Sequence, residues 1–156
     1  MLKVMFVCLG NICRSAMAEC VMSHFVKERG LENEFVIDSA GTSDEEEGND
    51  IYPPALRKLR AEEITVLPHR AKQLKLSDYG RFDLFLCAEQ RNVTSAKFIF
   101  SGDKDGKVIR MLDFADEPRN IADPWWTGDF DKTYDDIVEA CKSLLKYAEE
   151  SGLIKA

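Results

Sequence analysis

The chain has 156 residues, 45% of them apolar and 31% charged, with 28 acidic against 21 basic side chains and a net charge of −7. That length makes one domain rather than two, able to bury roughly 68–70% of its unfolded surface without disulfides or metal. The composition excludes disorder, collagen and small disulfide scaffolds, and its acidic balance excludes a sequence-independent nucleic-acid binder.

In chain order the sequence alternates strands and helices. Leu2 to Cys8 is a continuous apolar run with β-branched and aromatic residues, the pattern of a strand buried on both faces. Gly10 and Asn11 break it. A helix is predicted from about Ser15 to Arg29, with Met17, Cys20, Val21, His24 and Phe25 on one stripe and Gly30 as its stop. Glu34 to Ser39 reads as a short second strand, and Gly41 to Asp50 as a polar, acidic loop. Pro53 and Pro54 can open a helix that runs to about Glu63. Phe82 to Ala88 is a third strand, Gln90 to Phe100 a helix, and Lys107 to Leu112 a fourth strand. Asp113 to Gly128, with Pro118 and Pro124, is a long irregular stretch. The last helix covers about Phe130 to Glu150, where Phe130, Tyr134, Ile137, Val138, Cys141, Leu144, Leu145 and Ala148 keep helical spacing.

This alternation predicts an α/β fold: a single three-layer domain, residues 1–156, with a four-stranded parallel sheet and helices on both faces. Ligands in such sheets bind beyond the carboxyl ends of the strands, where Cys8 and the loop after the fourth strand are expected to meet. The longest apolar run, Val4 to Leu9, is too short to span a bilayer, and Lys3 is too little for a signal peptide. No membrane insertion and a cytoplasmic location are therefore expected. The cysteines Cys8, Cys13, Cys20, Cys87 and Cys141 are odd in number and unpatterned, which fits a reducing compartment. With only His24 and His69, a structural zinc is not expected.

The segment Val7-Cys8-Leu9-Gly10-Asn11-Ile12-Cys13-Arg14-Ser15 lies between a strand and a helix. Such a loop can wrap so that successive backbone N–H groups face inward as an anion nest, reinforced by the positive end of the following helix. Gly10 permits unusual backbone angles, and Arg14 can fork two N–H bonds onto phosphate oxygens. A cysteine among these groups has its thiolate stabilised, and the Ser15 hydroxyl can donate to the sulfur. Cysteine and arginine five residues apart occur often by chance. The strand before, the helix after, Gly10-Asn11 inside and Ser15 behind make a nucleophile in an oxyanion cradle the specific reading.

This loop resembles the signature of the low-molecular-weight protein tyrosine phosphatases, V-C-x-G-N-x-C-R-S. The resemblance extends over almost the whole chain. It continues in Ile37-Asp38-Ser39-Ala40-Gly41-Thr42, in His69-Arg70-Ala71-Lys72-Gln73-Leu74, in Phe82-Asp83-Leu84-Phe85-Leu86-Cys87 and in Asp123-Pro124-Trp125-Trp126. It implies hydrolysis of phosphotyrosine in proteins through a cysteinyl-phosphate, with inorganic phosphate as product and without metal, cofactor or nucleic acid. It implies Cys8 as nucleophile, Arg14 as phosphate clamp and Asp123 as general acid and base. Leu9, Gly10, Asn11, Ile12, Cys13 and Ser15 would bind the phosphate or support the thiolate, and Asn11, Ser39 and His69 would hold the loop, His69 near Ser15. Cys13 would be the thiol able to trap an oxidised Cys8 as a disulfide.

Pro124 biases Asp123 towards extended backbone, which fixes its aim. Trp125 and Trp126, where the family commonly has tyrosines, either plug the loop onto the body or form an aromatic wall that favours an aryl phosphate. Ile12 is either packing or a steric filter, since relatives acting on phosphoarginine tend to carry threonine there. Leu9 belongs on the rim. Glu45 sits in the acidic run Asp44 to Glu47, which is either a solvated face or a rim element that repels acidic flanks. Ala16 departs from the family's proline without touching the chemistry. Three rivals remain. An arsenate reductase on the same fold would want a second cysteine near Cys87, a protein-arginine phosphatase is opposed by Ile12, and a phosphate-reading module without turnover would lack a catalytic group.

Overall fold

The computed structural model describes residues 1–155. Among these residues four strands, β1 (Leu2–Cys8), β2 (Phe35–Gly41), β3 (Leu84–Cys87) and β4 (Val108–Arg110), form one parallel sheet in the order β2-β1-β3-β4. The helices are α1 (Arg14–Glu28), α2 (Pro53–Ala61), α3 (Gln90–Ile99), the single turn α4 (Pro124–Thr127) and α5 (Phe130–Glu150). Alternate residues of β1 feed opposite faces. Leu2, Val4, Phe6 and Cys8 join the cluster built with α1, α2 and α5, whereas Met5 and Val7 join the one built with α3. The α/β architecture with helices on both faces is therefore the one its alternation predicts.

Boundaries moved where tertiary pairing decided them. β2 runs to Gly41 rather than Ser39 because β1 pairs with it over its full length, from Leu2 opposite Phe35 to Cys8 opposite Gly41. β3 and β4 are shorter than expected, since β4 gives way at Met111–Phe114 to a 3₁₀ turn. The buried face of α1 is wider than the predicted stripe. Ala16, Ala18, Met22 and Val26 are buried as well, while His24 and Phe25 are only half-buried, because the helix is pressed between the sheet and α5. The stretch 113–128, expected to be irregular, contains α4, with Asp123 as its N-cap.

The chain passes from β1 to β2 on one side, then crosses to β3 on the other. The order reverses between β1 and β3, and a crevice opens there beyond the strand ends. Cys8 ends β1 and Glu89 follows β3, so both stand at that crevice. No helix among the described residues is long and apolar enough to cross a membrane.

Candidate active site

The loop after β1 is tied down by one asparagine. Asn11 is buried in the left-handed region at φ 58°. Its side chain donates to Ser15 Oγ at 2.9 Å and Ser39 Oγ at 3.0 Å and accepts from the Lys72 N–H at 3.1 Å. Asparagine is among the few residues other than glycine that visit this region. The unusual backbone expected at Gly10 thus lies one residue later. Gly10 instead makes room for a side chain, since a Cβ there would meet Glu46 Cγ at 3.3 Å. Gly41, at the end of β2, is the tighter point, where a Cβ would stand 2.6 Å from the Leu9 carbonyl oxygen. The loop is stitched to this strand end, Thr42 N–H donating to Cys8 O at 2.9 Å and Ser43 N–H to Leu9 O at 3.0 Å.

Cys8 is buried, and its sulfur accepts from the Asn11 N–H at 3.3 Å. Ser15 Oγ lies 3.0 Å from the sulfur. Because that oxygen already accepts from Asn11, its own hydrogen is free for Cys8. Ser39 passes the chain on, its hydroxyl donating to Glu19 Oε1 at 2.6 Å. Burial is the main cause that raises the Glu19 carboxyl above its ordinary range, against the lowering effect of that hydrogen bond. His69, expected to hydrogen-bond near Ser15, has its Nε2 2.6 Å from the carbonyl of Asn11, the residue whose side chain donates to Ser15, and it must donate to that carbonyl. The carbonyl has no hydrogen to give, so the ring nitrogen is the donor.

Arg14 is buried and held from two distant segments. Its Nη1 donates to Glu89 Oε2 at 2.7 Å and to the Ile121 carbonyl at 2.8 Å. Its Nη2 stands 3.5 Å from Asp123 Oδ2. Asp123 divides its oxygens between two tasks. Oδ1 caps α4 by accepting from the Trp125 N–H at 3.0 Å, and Oδ2 is the oxygen on the arginine side.

A cleft of about 220 Å³ joins these groups. Cys8, Leu9, Gly10, Ile12, Cys13, Arg14, Glu45, Glu46, Asp123, Trp125 and Trp126 line it. Leu9 stands 48% exposed on the rim, and Trp125 and Trp126 are 52% and 82% exposed. Ile12 packs with Cys13 and Ala71 and also lines the cleft. Ser15, Ser39 and His69 stand behind the loop rather than in the cleft. Burial pushes the Cys13 thiol up to about 12, with the nearby Cys8, Asp123 and Glu46 adding to the shift. Burial likewise raises Cys20, Cys87 and Cys141, and all five cysteines are free.

Four participants were not read from the sequence: Glu89, the Ile121 carbonyl, Glu19 and Tyr52. The Tyr52 ring packs at a 47° tilt with its centroid 4.7 Å from that of Trp125, and its N–H donates to Ile12 O at 2.9 Å. Glu89 alone had a usable signal, an acidic residue just past a parallel strand at the edge where Cys8 ends.

Known proteins resemble this chain in sequence and in fold. The model of a family described as low molecular weight phosphotyrosine protein phosphatase matches residues 3–152. The low molecular weight phosphotyrosine protein phosphatase of Gallus gallus is 38% identical over 152 residues, covering 92% of this chain and 94% of that one. The crystal structure of YfkJ from Bacillus subtilis superposes with a TM-score of 0.93 at 31% identity, over 97% of this chain and 96% of that one. The Drosophila arginine phosphatase DARP superposes at 0.87 with 24% identity, over 95% and 98%, a likeness of fold alone.

Proposed function

The chain belongs to the low molecular weight phosphotyrosine protein phosphatase family and is a hydrolase of phosphotyrosine, and we propose that it works through a cysteinyl-phosphate on Cys8. Residues 1–156 act as one phosphatase domain on a phosphotyrosine-containing protein in the cytoplasm. In the first step the Cys8 thiolate attacks phosphorus in line. The S–P bond forms as the bond to the phenolic oxygen breaks, and Asp123 Oδ2 gives that oxygen a proton. Oδ2 is the oxygen for this task because Oδ1 is committed to the Trp125 N–H. In the second step Asp123 takes a proton from water, the water oxygen bonds to phosphorus, and the S–P bond breaks to release inorganic phosphate and the thiolate.

Arg14 and the backbone N–H groups of the loop hold the equatorial oxygens through both steps. Glu89 and the Ile121 carbonyl fix Arg14 on one nitrogen and leave the rest of its fork for the phosphate. Ser15 supports the thiolate, while Asn11, Ser39 and His69 keep the loop curled. The Trp125 and Trp126 wall suits a flat aryl ester, and Glu45 completes the rim.

The observation that carries this reading is the convergence of Cys8, Arg14 and Asp123 on one cleft. Ile12 in the cleft wall supports phosphotyrosine over phosphoarginine, and Cys87 has no second cysteine nearby in sequence for an arsenate relay. The test is phosphate release from phosphotyrosine, phosphoserine and phosphoarginine peptides, with arsenate reduction alongside. Phosphotyrosine should be cleaved, and Cys8→Ser should abolish turnover. More than a few per cent residual activity in that variant removes Cys8 as nucleophile, and faster release from phosphoarginine moves the enzyme to the other substrate class.

A further inference from the structure

We propose that Arg119 is a positioning residue for the general acid, clamping the loop between β4 and α4 onto α5 and so fixing the aim of Asp123. The proposal rests on the reading of Asp123 as that acid. The loop needs an anchor because residues 115–123 form no helix or strand, and ordering such a segment is opposed by backbone entropy. Arg119 supplies a bidentate one. Its Nη1 donates to Glu139 Oε2 at 3.3 Å and its Nη2 to Glu139 Oε1 at 2.9 Å. Nη2 also reaches Asp136 Oδ1 at 2.9 Å, and Nη1 donates back to the Glu117 carbonyl at 2.9 Å.

Asp136 is buried, and its other cation, Lys132, stands farther away at 3.5 Å. A buried carboxylate left without its partner is costly, so displacing the loop is opposed at this point. The bond to Arg119 holds the Glu139 carboxyl below its ordinary range.

The residues after Arg119 are moored at several further points. Asn120 Oδ1 accepts from the Gln90 N–H at 2.9 Å, Ile121 N–H donates to Ala88 O at 2.8 Å, and Thr133 Oγ1 donates to Ala122 O at 3.3 Å. These three bonds are neutral, and Arg110 Nη1 at 3.3 Å from Asn120 Oδ1 and Arg14 Nη1 at 2.8 Å from the Ile121 carbonyl each add a charged donor, whereas the tie at Arg119 is a doubled ion pair to two carboxylates. The clamp therefore helps to set where the Ile121 carbonyl and Asp123 stand relative to Arg14. Proton transfer needs hydrogen-bond reach, and a displacement of about 1 Å costs on the order of 10²-fold.

The test measures kcat/KM of the full chain on aryl phosphates whose leaving phenols span a wide range of acidity. A displaced acid is missed by a poor leaving group and hardly by an acidic phenol. Arg119→Met should lose about tenfold on phosphotyrosine and less than about twofold on the most acidic phenol, a share of the ~10²–10⁴-fold typical of general acid catalysis. Arg119→Lys, which keeps the charge without the fork, should recover part of the loss. Glu139→Gln should show the same signature at about threefold, and it carries the test if Arg119→Met does not fold. Equal losses on all leaving groups, beside an Asp123→Ala variant that is selective, would make Arg119 a stabiliser of the fold only and overturn the proposal. An Asp123→Ala variant without selectivity removes the acid itself, and the clamp falls with it.

Discussion

Asn11 shows how much one residue can decide. Its backbone turns the loop, its N–H meets the Cys8 sulfur, its carbonyl accepts from His69, and its side chain joins Ser15, Ser39 and Lys72. Asn11→Ala loses these side-chain bonds and leaves at φ 58° a residue without the short polar side chain that lets asparagine visit this region. The left-handed backbone costs alanine about 1–2 kcal/mol, and stranded buried polar groups cost about 1–3 kcal/mol. Urea unfolding should therefore show a loss of about 2–4 kcal/mol for Asn11→Ala and about 1 kcal/mol less for Asn11→Gly, which relieves only the backbone. Equal losses would show that backbone conformation plays no part. Cys13 carries a second prediction. With its thiol pushed up to about 12, it is almost wholly protonated at neutral pH. Its thiolate fraction rises about tenfold per pH unit below that value, so closure of a Cys8–Cys13 disulfide after peroxide treatment should accelerate by about that factor from pH 7 to 8 and again to 9. Mass spectrometry of quenched samples gives the rate, and a pH-independent rate would show that Cys13 does not attack as a thiolate. In Cys13→Ser, thiol should no longer restore full activity.

At the scale of elements, the acidic run after β2 divides. Glu45 and Glu46 line the cleft, whereas Asp44 and Glu47 do not. Glu46 is held by Asn49 Nδ2 at 2.7 Å. A dianionic phosphate must pass these carboxylates, and each charge contact across water is worth about 1 kcal/mol at ~4 Å and is screened beyond ~8 Å. Peptides with Lys or Arg beside phosphotyrosine should therefore be captured several-fold faster than those with Asp or Glu, an effect in kcat/KM that shrinks as salt rises. Replacing Glu45 and Glu46 by Gln should remove the preference, while Asp44→Asn with Glu47→Gln, an equal change of net charge, should keep it. Identical rankings in all three proteins would return the run to a solvated face. The helices divide similarly. α5 is amphipathic and legible in advance, whereas α4 has four residues, too few for any periodicity, and exists because Asp123 caps it and Pro124 opens it.

For the whole molecule, the sheet order places the ends of β1 and β3 side by side, and the phosphate site couples to global stability through them. A ligand bound only by the folded state stabilises it by about 2.7 kcal/mol at a hundred times its Kd. Inorganic phosphate at that excess should raise Tm by roughly 5–10 °C for a chain of this length. Arg14→Met should abolish the shift, and Cys8→Ser should retain part of it, since the arginine and the backbone N–H groups remain. An undiminished shift in Arg14→Met would place the anion elsewhere. A variant that binds phosphate without turning over substrate would separate the cradle from the chemistry.

The sequence by itself determined the parallel α/β architecture and the reactive loop. Strand burial and helical period are local patterns, and Cys8, Gly10, Asn11, Arg14 and Ser15 lie within a single strand-to-helix turn. It also marked Asp123, because Pro124 and two tryptophans make that segment distinctive. Only the tertiary structure decided which groups hold these residues in place. Glu89 and the Ile121 carbonyl on Arg14, Glu19 behind Ser39, Tyr52 against Trp125 and His69 on the Asn11 carbonyl all come from distant parts of the chain. Buried polar groups must find partners, and which partner each finds depends on strand order and register, quantities that no local pattern of residues contains.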